Sequence, residues 1–178
     1  AAVTSTLVEV LQVDAAVIRM PDERGDYFVP RAVHVAESRL AEAVRAILER
    51  PQPRPRRAAV PRVLDAESAT ALGGAHALLV PFLEKGSTAA LLPVASATEL
   101  LAQLTILSLD PESPISEETL ATAATIAQQA ALAIDNARLY QQQKQFAETM
   151  QQSLLPRDRP AIAGVDIGTV YESAAQVD

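Results

Sequence analysis

The sequence predicts an α+β fold: a central antiparallel sheet flanked by helices and closed by a long C-terminal helix. Three observations predict it. Two strand-like segments, 13–20 and 27–36, are joined by Pro-Asp-Glu-Arg-Gly-Asp, which is hairpin turn chemistry. Helical stripes of apolar residues lie on either side of that hairpin, the pattern of helices laid against an antiparallel sheet. Residues 116–155 then run without glycine or proline between Pro114 and Pro156, which reads as one helix roughly 60 Å long at 1.5 Å per residue.

Taken in order, Val3, Leu7, Val10 and Leu11 fall at helical spacing and give a short amphipathic helix over 2–12. The two hairpin strands follow. Ser38 is placed to cap a second helix, whose apolar stripe is Leu40, Val44, Ile47 and Leu48 and which Pro51 stops. Six of the 15 basic residues lie between Arg45 and Arg62, in a stretch rich in proline, so this segment reads as extended and solvated. Residues 58–64 can hold one short strand, at a sheet edge because Pro61 cannot donate to a ladder. Gly73 and Gly74 mark a loop. After it, 76–86 and 100–109 read as the two core strands, with 87–99 as a protruding loop between them. Ser116 is a good N-cap for the long helix, and Glu117 and Glu118 complement its dipole.

Composition narrows the function classes. The chain has 178 residues, 49% hydrophobic but only 3% aromatic, so its core is built from Ala, Val, Leu and Ile. It has no cysteine, which excludes a disulfide, a thiolate metal ligand, a cysteine nucleophile and a thioether-linked chromophore. A net charge of −7 argues against nucleic-acid binding. No apolar run approaches the roughly 18 residues of a membrane span, and the N-terminus lacks the series of a signal peptide. The expectation is a soluble, cytoplasmic protein.

The order of elements from residue 1 to about 140 resembles a GAF domain, a sensory and dimerising module. The resemblance is carried by ALLVPFLEKG at 77–86, LLAQLTILSLD at 100–110, and a closing helix that ends in Asn136, Ala137, Arg138, Leu139 and Tyr140. It implies a homodimer and a pocket for a small-molecule ligand between sheet and helices. A second stretch resembles the entry to a PPM-type serine phosphatase of the bacterial sporulation and stress-regulator class. There Gln151 to Pro156 match a Gln-x-Ser-Leu-Leu-Pro signature, and Tyr171 to Ala174 match a Tyr-x-x-Ala strand ending. Together the resemblances divide the chain into a GAF domain at 1–140, a helical linker at 141–156 and the truncated start of a phosphatase domain at 157–178.

Each candidate site has a plainer reading beside it. A two-metal phosphatase needs several carboxylates, but Asp166, Glu172 and Asp178 read as surface acids, and the metal-binding aspartate of the family is expected beyond Asp178. The fragment is therefore expected to hold no cofactor, with Mn or Mg implied only for the parent phosphatase domain. His34 and His76 are the candidate haem ligands, and both read as hydrogen-bonded structural histidines. The Asn-Lys-Phe-Asp-Glu set of cyclic-nucleotide-binding GAF domains is not found in order. The basic segment from Pro51 to Arg62 reads as a solvated loop. No Gly-rich phosphate loop, Ser-His-Asp order or metal-ligand cluster occurs, so the fragment is not expected to be an enzyme.

The long helix is the best candidate for carrying function. Ile126, Ala130, Ala133, Ala137 and Tyr140 make one series at helical spacing, and Leu139, Phe146, Met150 and Leu154 make a second, a weak dimerising stripe flanked by glutamines. The expected function is that of a regulatory domain and signalling helix of a phosphatase that dephosphorylates a phosphoserine protein of the anti-sigma-factor-antagonist type. The alternative is a ligand-free dimerisation scaffold with no sensing role.

Overall fold

Apolar residues occur at both parities of the central strands, so the sheet must be covered on both faces. A computed structural model describes residues 2–54, 60–97 and 99–154 and shows this arrangement. The elements run α1 (Ala2–Leu11), β1 (Ala15–Pro21), β2 (Tyr27–Val35), α2 (Ala41–Leu48), β3 (Gln52–Pro53), β4 (Arg62–Leu64), α3 (Ala66–Leu72), α4 (Gly74–Ala77), α5 (Val80–Leu83), β5 (Thr88–Ala95), β6 (Leu100–Ser108) and α6 (Glu117–Leu154). The strands form one antiparallel sheet in the order β3-β2-β1-β6-β5-β4. This is the α+β architecture expected from the sequence. Two units divide the chain: Ala1–Ala137 holds the sheet, and the described part of Arg138–Asp178 is the remainder of α6.

One face of the sheet carries Ala16, Ala90, Leu92, Leu104 and Ile106, covered by Leu7, Val8 and Leu11 of α1 and by Ala123, Ala127 and Ala131 of α6. Alanines four apart on α6 form its buried stripe. The other face carries Ala15, Val17, Ala89, Leu91 and Leu107, covered by Val44 and Leu48 of α2 and by Leu79 between α4 and α5. β6 is buried along its whole length.

The entry to α6 is fastened to the strand ends. Ile115 N–H donates to Thr88 Oγ1 at 2.8 Å, and the Ser108 hydroxyl donates to Ser113 O at 2.6 Å. Ser116 Oγ accepts from Thr119 N–H at 3.1 Å, so it caps the helix as expected.

Several local expectations are corrected. Residues 76–86 are not a strand but the helical turns α4 and α5. Ala75, Leu79, Phe82 and Leu83 lie four, three and one apart, a helical spacing, and Pro81 stands in the first turn of α5, where its missing N–H is harmless. The presumed loop 87–99 is mostly β5, which forms the core hairpin with β6. Its Pro93 is tolerated because β4 pairs only with Ala89, Ala90 and Leu91, leaving a neighbour on one side at that position. Ser38 does not cap α2 through its side chain; Leu40 occupies the N-cap without a side-chain bond, and Ala41 N–H bonds Ser38 O at 3.1 Å. β3, two residues within the proline-rich segment, was not expected, whereas β4 sits at the sheet edge as Pro61 required.

Candidate functional site

The face beneath α2–α5 holds a cluster of buried polar side chains at one end. β1 alternates so that Ala15, Val17 and Arg19 share this face. Directly opposite residues on neighbouring antiparallel strands point the same way. Register therefore places Gln103 beside Arg19, Thr105 beside Val17 and Leu91, and Arg62 beside Leu91. Arg19 is 0% exposed, and Gln103 and Thr105 are almost as deeply buried.

Arg19 ties the sheet to the end of α2. Its guanidinium donates from NH2 to Leu48 O at 2.8 Å, from Nε to Arg50 O at 3.4 Å, and from NH1 to Thr105 Oγ1 at 3.3 Å. The carbonyls of Leu48 and Arg50 lie at the negative end of the helix, where a cation is favoured. No carboxylate pairs with it among the described residues. Burial pushes its pKa down to about 10, so it stays charged at neutral pH.

Gln52 of β3 and His76 of α4 lie on the helix side of this cluster. With the Gln52 amide oriented to suit its neighbours, its oxygen accepts from His76 Nδ1 at 3.0 Å, His76 N–H at 2.8 Å and Ala75 N–H at 3.0 Å, and its nitrogen donates to Gly73 O at 3.3 Å. Gly74 favours glycine here: its φ is +56°, and a Cβ would lie 2.6 Å from the end of the Gln52 side-chain amide. At neutral pH His76 is uncharged, so a ring that donates from Nδ1 carries Nε2 as an acceptor. Burial first, then the charges of Arg19 and Arg62, lowers its pKa to about 4.

Three buried side-chain atoms of this region have no hydrogen-bond partner among the described residues: Arg62 Nε, His76 Nε2 and Gln103 Oε1. Such groups are uncommon in folded proteins, and each one asks for an explanation. A surface cleft of about 490 Å³, lined by Arg50, Pro51, Gly74, Ala75 and Leu78, adjoins Gln52 and His76 along the chain. The region offers hydrogen-bond donors, acceptors and positive charge, but no hydroxyl partner for His76 Nε2 to activate.

The sequence had singled out other residues. His34 lies half-buried on β2, away in sequence and in pairing from Arg19, with Ala16 as its neighbour. His76 is buried and hydrogen-bonded, as read, but on a helical turn rather than at a strand entry. Of the series Ile126, Ala130, Ala133, Ala137 and Tyr140, only Ile126 and Ala130 pack on the core; the other three are exposed, and Ala123, Ala127 and Ala131 take the buried stripe instead. Leu139, Phe146 and Met150 are exposed on α6, at 56%, 67% and 47%. The side chain of Leu154, the whole of 155–178 with Asp166, Glu172 and Asp178, and the arginines at 56 and 57 lie outside the described residues. On the opposite face, Val3, Thr6, Leu7 and Val10 of α1 and Ile126 of α6 line an apolar groove of about 310 Å³.

Arg19, Gln103 and Thr105 were missed, though the sequence held a signal. In strands apolar at both parities, a polar residue has no solvent face to turn to. Gln103 and Thr105 share one parity of β6, and Arg19 follows Ala15 and Val17 on β1.

Comparison with known proteins addresses the same domain. Residues 1–134 match the family model of the GAF domain. The crystal structure of the second GAF domain of DevS from Mycobacterium smegmatis is similar with a TM-score of 0.53 at 19% identity, over 80% of this chain and 94% of that one. The GAF domain/HD domain protein from Geobacter sulfurreducens is similar with a TM-score of 0.56 at 15% identity, over 78% of this chain and 90% of that one. At these identities the likeness is one of fold. No curated protein sequence matches the chain.

Proposed function

The chain belongs to the GAF family, a regulatory domain of signalling proteins, and on that premise we propose that it controls a bacterial serine phosphatase of the PPM type. The observation that carries the proposal is the Gln151–Pro156 signature in the sequence, whose first four residues lie within α6. The parent dephosphorylates a phosphoserine regulator of the anti-sigma-factor-antagonist class, in the cytoplasm and with Mn or Mg in its own catalytic domain. The fragment itself is not an enzyme. It senses and transmits.

Transmission runs through α6. The polar cluster sits on β1 and β6, and the end of β6 holds the α6 entry through Ser108, with Thr88 of β5 beside it. A ligand that prefers one arrangement of these strands biases the helix by its difference in affinity between the two states. In a homodimer, the α1–α6 groove and the stripe of Leu139, Phe146, Met150 and Leu154 supply apolar surface for the second copy. Insertion of a Gly-Ser break near Gln143 in the parent protein tests this. Loss of regulated phosphatase activity is expected; an unchanged rate contradicts the coupling.

A second reading, a ligand-free dimerisation scaffold, is favoured by the exposed Val3 and Val10 beside the apolar groove. Mass spectrometry of gently purified protein separates the two, since a sensor retains a small molecule and a scaffold does not.

A further inference from the structure

We propose that α6 carries a parallel, in-register coiled-coil seam for a second copy of this chain, built on Leu132, Asn136, Leu139, Gln143, Phe146 and Met150. The inference deepens the homodimer reading and rests on it, but it does not depend on which enzyme the domain regulates.

Spacing defines the seam. The six residues follow one another at intervals of four, three, four, three and four along one helix. That is the alternation of a heptad repeat, with Leu132, Leu139 and Phe146 at d and Asn136, Gln143 and Met150 at a. Such a repeat keeps one line of side chains toward a partner helix as the two wind round each other.

The line is open to a partner. Leu132, Leu139 and Phe146 are 64%, 56% and 67% exposed, and Asn136, Gln143 and Met150 are exposed as well. Asn136 follows Ala127 by about two and a half turns, so it stands opposite the stripe of Ala123, Ala127 and Ala131 that packs on the sheet. A second helix on that side does not compete with the sheet for α6. Charge stays off the seam. Arg138, Lys144 and Glu148 take the outer c, b and f positions, where Lys144 and Glu148 pair at 4.0 Å. Of the flanking e and g positions between Leu132 and Met150, Asp135 alone is charged. In a parallel pair it meets Tyr140 of the second copy rather than another carboxylate.

The amides select the partner and its direction. In a parallel pair in register, Asn136 and Gln143 each meet their own counterpart. An amide both donates and accepts, so each such layer satisfies itself. An antiparallel pair matches a with d, which sets Gln143 against Leu139 and Asn136 against Phe146. Both amides then face apolar side chains, at the cost of their hydrogen bonds. A polar a layer therefore fixes register at some expense in stability, and an identical chain is the partner that supplies the same amides at the same heights. Both copies leave this seam at the same end.

The chain has no cysteine, so introduced thiols report the pairing without interference. Sedimentation of the 178-residue chain is expected to show a dimer, and Phe146→Ala is expected to weaken it by about tenfold while circular dichroism shows the fold retained. Under mild oxidation, Leu139→Cys on the seam is expected to form disulfide-linked dimers about tenfold faster than Lys144→Cys on the outer side. Asn136→Leu is expected to tighten association by about tenfold, because it removes a polar layer. These positions are exposed, so none of the variants disturbs the core. A monomer at all concentrations, or a dimer indifferent to Phe146→Ala, would overturn the proposal. So would cross-linking no faster at position 139 than at 144; a dimer that behaves so associates through another face, and the homodimer reading survives without the seam. The phosphatase reading is judged separately, on the rate of the parent protein.

Discussion

The two faces of the sheet use alternate residues of the same strands, yet they are finished differently. Beneath α1 and α6, Ala16, Ala90, Leu92, Leu104 and Ile106 belong to an apolar cluster, and Thr4 of α1 is a buried polar residue. Beneath α2–α5, the apolar patch around Val17 and Leu107 gives way within one or two residues to Arg19, Gln103 and Thr105. A polar atom buried without a partner costs about 1–3 kcal/mol. On the second face Arg19 and Thr105 are hydrogen-bonded, Arg19 to the end of α2, whereas Gln103 Oε1 is buried without a partner. An unpartnered buried group of this kind asks for an explanation beyond packing.

Substitutions can break this contrast or sharpen it. The largest effect is expected on the apolar face, where Ile106→Ala removes a side chain at 0% exposure. A loss of about 2–5 kcal/mol in denaturant unfolding is predicted.

A pH effect of comparable size belongs to the polar face. His76 is held at about 4 when folded against a reference of 6.5, so between these values the unfolded chain binds the extra proton. Stability therefore falls as pH drops from about 6.5 toward 4, by an amount on the order of 3 kcal/mol at most. Urea titrations at several pH values, in wild type and in His76→Gln, should show this slope and its flattening in the variant.

Gly74→Ala comes next. It pits a Cβ against the Gln52 side-chain amide at a positive φ, and a loss of about 1–3 kcal/mol in thermal or chemical unfolding is expected. Smallest is Val10→Ser on exposed α1, which should change monomer stability by no more than about 0.5 kcal/mol. In sedimentation it should weaken self-association if the α1–α6 groove seats a second copy.

Much of the fold was legible where one signal dominated. The α1 stripe, the Pro-Gly hairpin turn, the unbroken β6 run and the Ser116 cap each pointed to one structure, and each formed. Residues 76–95 were misread because two signals competed. Leu78, Leu79, Val80 and Phe82 look like a strand by composition, but Gly73, Gly74 and Pro81 start helical turns there. β5 was hidden by Pro93, whose exclusion from a central strand lapses where β4 ends. The site was less legible still. Arg19, Gln52 and His76 come from three elements, and only the pairing of β1 with β6 and the docking of α4 brings them together.

The contrast between the faces rests most directly on Gln103. Its Oε1 is buried and unpartnered, so replacing it with leucine of similar size removes a polar cost without opening a cavity. Thermal and urea unfolding of Gln103→Leu should show stability unchanged or raised by about 1 kcal/mol. A loss of several kcal/mol would show that Gln103 holds the fold together, and would contradict the account of its amide as a buried group that packing does not explain.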